Sequence, residues 1–286
     1  MTTFTTSDAV ELRYEQRGTG PPVYVCQGGP NNVCDTLIAD LAPLEETHTL
    51  VFHDYRGSGR SAGAPATTYE FERLADDLDE LRQHLGHGTI SVLAHSMGGF
   101  LALEYALRHP SACGRLALVG TTPCGAARPM ALPVLRALGP LRTAKALLIA
   151  ARFLALWSWR TPSAPRTTAM YAPMGVTQEP RPDLRALVAS AHPELPVAND
   201  NAPHLMRALG RLDLREDLER ITCPVLVLHG SRDAVMVAGG RMLAGGLPDS
   251  TVQVLADVGH EPFIESPTET FAALRAFLPT QDGSAT

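Results

Sequence analysis

Short, largely apolar runs punctuate this chain at residues 23–26, 50–52, 90–93, 116–119, 225–228 and 252–255. Runs of this length without polar alternation, rich in β-branched residues, are the pattern of strands buried on both faces. Between them the period changes. Leu74, Leu78, Leu81 and Leu85 recur at helical spacing over 69–85, with acids between them, which predicts an amphipathic helix. From Met97 a second helical period runs through Phe100, Leu101, Leu103, Tyr105, Ala106 and Leu107 and stops at Pro110. Residues 271–278 predict a last helix, and the polar tail begins at Thr280. Near the start, Val10, Leu12 and Tyr14 alternate on one face, so residues 1–18 read as two short strands before the turn Gly18-Thr19-Gly20-Pro21-Pro22. Alternating strands and helices predict an α/β fold with a doubly wound, mostly parallel sheet covered on both faces.

The rhythm breaks over 123–212. This section has many prolines, no strand pattern, and helical patterns at 132–138, 141–158, 182–191 and 200–211. About 90 residues between consecutive strands is too long for a plain connection, so it reads as a helical cap inserted into a core made of 1–122 and 213–286. No internal repeat or low-complexity segment is present.

Composition narrows the partners. A chain of 286 residues is long enough for one large core with such an insertion. Its net charge of −6 argues against nucleic acid, and the near-absence of lysine (Lys145 alone) looks like codon bias rather than a basic binding surface. The longest apolar stretch, 146–159, is interrupted by Arg152 and is too short to span a bilayer. The first ten residues have no export signal. Five cysteines, an odd number without zinc-ligand spacing, suit reduced thiols. The expectation is a cytoplasmic protein acting on a small molecule, with no nucleic-acid or membrane partner and no cofactor or metal. Its oligomeric state is not legible.

The chemistry centres on Ile90-Ser91-Val92-Leu93-Ala94-His95-Ser96-Met97-Gly98-Gly99. A serine on a tight strand-to-helix turn projects from the sheet, needs small neighbours, and faces the free N–H groups of the following helix. The usual pattern is Gly-x-Ser-x-Gly; here Ala94 takes the first glycine's place. A serine hydroxyl is a weak nucleophile and requires a histidine base oriented by a carboxylate. Of ten histidines, His260 lies in a loop just after the last predicted strand. The loop after 116–119 offers no acid, whereas the loop after 225–228 offers Asp233, so Asp233 is expected to orient His260. Asp257 is the weaker candidate, being too close in sequence to reach the far ring nitrogen easily. Gln27-Gly28-Gly29-Pro30 closes the third strand; its glycines let a backbone N–H approach a substrate oxygen, and Pro30 fixes the turn, a cis peptide being one way to do so. Gly29 and Met97 N–H are the expected oxyanion donors, with Gly28 beside them.

With these residues in place, the chain resembles the α/β-hydrolase fold superfamily, and its local likeness is to the proline iminopeptidase-like branch. That branch's His-Gly-Gly-Pro and Asp-x-Arg-Gly-x-Gly-x-Ser segments are similar to Gln27–Pro30 and to Asp54-Tyr55-Arg56-Gly57-Ser58-Gly59-Arg60-Ser61. Residues 226–233 and 259–262 resemble the superfamily's acid and base segments. The likeness covers about 1–122 and 213–278 and stops in the cap. Two departures reshape the pocket wall: Gln27 replaces a histidine, and Asn31 stands where that branch continues with glycine. The Asp54–Ser61 segment reads as structural, with Arg56 bracing loops near the elbow. Epoxide hydrolases and dehalogenases of this fold carry an aspartate at the position of Ser96. No Gly-x-Gly-x-x-Gly follows a strand, so a nicotinamide site has no support.

Three functions follow. The first is a serine hydrolase that cleaves an ester, amide, lactone or thioester of a small, largely apolar substrate through an acyl-Ser96, with a proline iminopeptidase as its variant. The second is a lyase or cyclase of small-molecule biosynthesis on the same scaffold. The third is a non-catalytic binder, disfavoured by an intact Ser96, Asp233 and His260 set. Residues 123–212 hold 11 basic and four acidic residues, which disfavours a pocket for a free amino terminus. Phe153, Trp157, Trp159, Met170, Tyr171 and Met174 either line an apolar cavity or pack the cap itself.

Overall fold

A computed structural model describes residues 2–29, 34–125 and 198–280. In chain order the strands are β1 (Thr2–Thr5), β2 (Glu11–Arg17), β3 (Pro22–Cys26), β4 (Thr49–His53), β5 (Ser58–Gly59), β6 (Ile90–His95), β7 (Cys113–Val119), β8 (Ala198–Asn199), β9 (Val225–Gly230) and β10 (Ser250–Leu255). The α-helices are α1 (Asp35–Leu41), α2 (Phe71–His84), α3 (Gly98–Arg108), α4 (Ala202–Leu209), α5 (Ala234–Gly246), α6 (Pro262–Glu265) and α7 (Pro267–Phe277). Eight strands form one sheet in the order β1-β2-β4-β3-β6-β7-β9-β10. The β1–β2 and β2–β4 pairs are antiparallel and the remaining pairs are parallel.

The two-residue period of the central strands divides the interior into two cores. Tyr24, Cys26, Val92, Ala94, Leu116 and Leu118 face one, where Leu74, Leu78 and Leu81 of α2, Leu101 of α3 and Leu243 of α5 meet them. Val23, Val25, Leu93, Ala117 and Val119 face the other, against Leu37 and Leu41 of α1 and Phe271 and Leu274 of α7. This is the doubly wound sheet that the apolar runs predict. Within α5, Gly239 and Gly240 are packing positions, since a Cβ there would meet the side chains of Thr122 and His229.

Two details depart from the sequence-based expectation. The 252–255 run is not buried on both faces: among the described residues β10 is an edge strand paired with β9 alone, and Val252 and Val254 are 42% and 48% exposed. Within 123–212 helices alone were expected, yet β8 pairs antiparallel with β5, Ser58 opposite Asn199. The helical pattern at 200–211 is realised as α4, whose Leu205 and Ala208 join the first core. The patterns at 132–138, 141–158 and 182–191, Pro30 and the tail from 281 lie outside the described residues. Where the chain enters and leaves this section, the two segments run side by side. Cys124 lies opposite Asp213 in an antiparallel bridge, the Gly125 N–H donates to the Leu212 carbonyl at 3.0 Å, and the Leu214 N–H donates to the Pro123 carbonyl at 2.9 Å. Among the described residues no helix is long and apolar enough to cross a membrane.

Candidate active site

β6 ends at His95 and α3 begins at Gly98, leaving Ser96 and Met97 as the whole turn. Ser96 has φ 52°, a left-handed conformation that a residue with a Cβ adopts at a cost of about 1–3 kcal/mol. Its N–H donates to the Val119 carbonyl at 2.9 Å, which ties the turn to β7. The small neighbours are required by contact. A Cβ on Gly98 would strike the Cys26 carbonyl, and one on Gly28 would come within 2.9 Å of the Ser96 Cβ. Ala94 fits without exposure, so its methyl is accommodated where the pattern has glycine.

The other two candidates converge on this serine from loops at the carboxyl ends of β9 and β10. The Ser96 hydroxyl donates to His260 Nε2 at 3.0 Å, and His260 Nδ1–H donates to Asp233 Oδ2 at 2.5 Å. Asp233 caps α5, its Oδ1 accepting the Met236 N–H at 3.3 Å, so both carboxylate oxygens are occupied and the group is fixed. Asp233 and His260 are each 3% exposed. Burial alone would lower the His260 pKa, but the charge and hydrogen bond of Asp233, with Glu261 and Glu265 behind, lift it to about 9. Asp257 is not brought to His260; its side chain is 86% exposed and pairs with Arg232 at 3.2 Å.

Gly28 lies against Ser96, and Gly29, next along the loop, is in a left-handed conformation at φ 59°. Neither the Gly29 nor the Met97 N–H donates to an acceptor among the described residues. Gln27 is fully buried; its carbonyl accepts from the Tyr55 hydroxyl at 2.9 Å, while its side-chain amide has no hydrogen-bond partner among the described residues. The Asp54–Ser61 segment ties loops together. Asp54 accepts the Cys34 and Arg60 N–H groups at 2.9 and 3.0 Å, and the buried Arg56 guanidinium donates to Asp77 and Asp8.

Two residues near the base escaped the sequence reading. Glu265 accepts the Gly259 N–H at 2.7 Å and the Glu261 N–H at 3.1 Å, and His95 Nε2–H donates to the His260 carbonyl at 2.9 Å. The one sequence signal for them was adjacency, His95 to Ser96 and Glu265 to the end of the His260 loop. Two described groups have the composition of a metal site. In His95, His260 and Glu261, both histidines are engaged as above; beside Cys34, Asp35 and Asp54, Arg13 donates to the Cys34 sulfur.

The profile of the alpha/beta hydrolase fold family matches residues 21–267. Among relatives, a pimeloyl-[acyl-carrier protein] methyl ester esterase of Chromobacterium violaceum is 32% identical over 285 residues, covering 95% of this chain and 100% of the relative. A proline iminopeptidase of Heyndrickxia coagulans is 26% identical over 275 residues, 93% of each chain. Among solved structures, an esterase from Exiguobacterium antarcticum superposes with a TM-score of 0.71 at 22% identity, covering 96% of this chain and 97% of that one. A match across most of its length, on a sheet of this topology, places the chain in the alpha/beta hydrolase fold family, as a serine hydrolase.

Proposed function

We propose that this enzyme hydrolyses a small, largely apolar ester, lactone, thioester or amide through an acyl-Ser96 intermediate. The observation that carries the reading is the continuous relay Ser96–His260–Asp233, with links of 3.0 and 2.5 Å, mounted on a strained turn at a helix N-terminus. Ser96 Oγ attacks the acyl carbon while His260 Nε2 takes its proton. Asp233 holds the ring in the tautomer that leaves Nε2 free and stabilises the imidazolium that forms. The Met97 and Gly29 N–H groups receive the negative charge developing on the carbonyl oxygen. His260 then protonates the leaving group, and in the second half it activates the water that releases the acid.

An ester or lactone substrate is favoured over an N-terminal peptide. The relative with the higher identity, at 32%, is named for a methyl ester, and the 26% relative for an iminopeptidase. Residues 123–212 form the cap in this reading, supported by the paired crossings at 123–125 and 212–214. All five cysteines are free thiols, which suits a reducing cytoplasm. A fluorophosphonate should label the protein once, at Ser96, and chromogenic acyl esters should show burst release. Labelling that persists in a folded Ser96→Ala variant, or turnover without any covalent acyl-enzyme, refutes the proposal.

A further inference from the structure

We propose that Glu265 and His95 are positioning residues of the base: together they grip the three consecutive backbone groups around His260 and so set its ring over Ser96. The inference rests on His260 being the general base.

The loop carrying His260 has little backbone support of its own. It follows β10 through Asp257, at φ 60°, and its last ladder-like bond is the Arg232 N–H to the Val258 carbonyl. For the next three residues backbone bonds reach only the Glu261 carbonyl, which accepts the Ile264 and Glu265 N–H groups, and side chains supply the other contacts. Gly259 N–H and Glu261 N–H each donate to one oxygen of Glu265, and the His260 carbonyl between them accepts from His95 Nε2–H. A carboxylate suits two amides that flank one residue, because it offers two acceptor oxygens on a rigid fork and its charge strengthens both bonds. Glu265 ends α6, which Pro262 starts immediately beyond the loop, so the clamp and the loop it holds are one short unit.

His95 ties that unit to the nucleophile. Its backbone directly precedes Ser96, while its ring packs 5.0 Å from the His260 ring and 5.6 Å from the Phe263 ring, centroid to centroid. One residue therefore joins the turn bearing the nucleophile to the loop bearing the base. Burial keeps the His95 ring neutral, with its pKa lowered to about 3, and the tautomer protonated at Nε2 is the one that reaches the carbonyl. Neither residue belongs to the Ser96–His260–Asp233 relay. Their work is to keep His260 aligned with two partners at once, and a displacement of about 1 Å at such a site can cost on the order of 100-fold in rate.

The test is steady-state turnover of a chromogenic acyl ester by Glu265→Ala, Glu265→Gln and His95→Gln, with His260→Ala alongside and folding checked by thermal melting. For Glu265→Ala the expected result is a fall in kcat of about 10- to 100-fold with KM nearly unchanged. Glu265→Gln, which keeps one acceptor, should recover part of the loss. His95→Gln, whose amide can still donate, should lie between wild type and Glu265→Ala. The low-field proton signal of the His260–Asp233 hydrogen bond should broaden in Glu265→Ala. If Glu265→Ala is too unstable to purify, Glu265→Asp, one methylene too short to span both amides, gives the same readout. Wild-type kcat in the folded Glu265 variants, or a loss confined to KM, overturns the clamp while an inactive His260→Ala keeps the base. A folded, fully active His260→Ala overturns the base itself and the clamp with it.

Discussion

The turn that holds Ser96, the proposed nucleophile, depends on what its neighbours lack as much as on what they supply. Gly28 and Gly98 have no Cβ, and that absence lets the strained turn close against β3. Geometry favours Asp233 over Asp257 as the proposed acid. Asp233 is buried, held by the Met236 amide and bonded to His260, whereas Asp257 faces solvent beside Arg232. Asp233→Asn should lower kcat by about 10⁴, since the wrong tautomer then faces Ser96, while Asp257→Asn should stay near wild type. Comparing the two in acyl-ester turnover checks this. The base also fixes a pH profile. Burial pulls the His260 pKa down, the charge and hydrogen bond of Asp233 and the charges of Glu261 and Glu265 outweigh it, and the result is a pKa of about 9. Only the neutral ring can accept the serine proton, so kcat/KM should climb about tenfold per unit on the acid side and level off near pH 9. Stability should run the other way. A pKa raised above the ordinary histidine value of 6.5 stabilises the fold fully below that value, and the contribution is lost as pH rises through about 9. Denaturant midpoints for wild type and His260→Ala across that window should converge as pH increases. That Ser96, Asp233 and His260 meet was legible because each sits in a loop directly after an apolar run. Glu265 was not, because an acid near a helix end ordinarily reads as a solvated residue, and only folding shows that it turns back onto the loop.

The loop after β4 shows an element stabilised by charges removed from water. Arg56 is fully buried and donates from Nε and Nη2 to Asp77 of α2, both at 2.7 Å, and from Nη1 to Asp8 at 2.9 Å. The Arg56 carbonyl in turn accepts from Asn201 Nδ2 at 2.7 Å, which fastens the start of α4 to the same loop. Removing one partner of a buried pair leaves an uncompensated charge. Arg56→Leu should therefore lose about 3–5 kcal/mol, and Asp77→Asn should be destabilised in the same direction. Urea midpoints, with labelling of Ser96 as the check that the native state persists, measure it. At this scale the sequence pattern was informative wherever an apolar run had two neighbouring strands, as for β3, β6, β7 and β9. It misled at β10, because an edge strand can be as β-branched as a central one while its valines remain in solvent. β8 was illegible for a different reason: two residues, Ala198 and Asn199, carry no period, and only their partners Ser58 and Gly59 define the strand.

Across the molecule the charge is divided. Residues 123–212 carry 11 basic and four acidic residues while the whole chain is at −6, so the remainder is strongly acidic. That asymmetry was readable without any structure, and it bears on the choice between an acyl ester and an N-terminal prolyl substrate. Releasing an amino-terminal residue requires a charged amine beside the scissile carbonyl, and a buried ammonium is costly unless carboxylates pair with it. Among the described residues two of the acids at the relay have other work. Asp233 accepts from His260 and Met236, and Glu265 accepts from the Gly259 and Glu261 amides. Residues 123–212 bring only Glu179, Asp183, Glu194 and Asp200 against their arginines. Gln27 and Asn31 further separate this turn from the iminopeptidase pattern. A medium-chain acyl aryl ester, corrected for its intrinsic reactivity, should accordingly exceed a prolyl arylamide in kcat/KM by about tenfold or more, the factor that ~1.4 kcal/mol of unpaired charge produces. A preference for the prolyl substrate, abolished by Glu179→Gln or Glu194→Gln, would show instead that the cap supplies an amine-binding carboxylate and that the enzyme is an aminopeptidase.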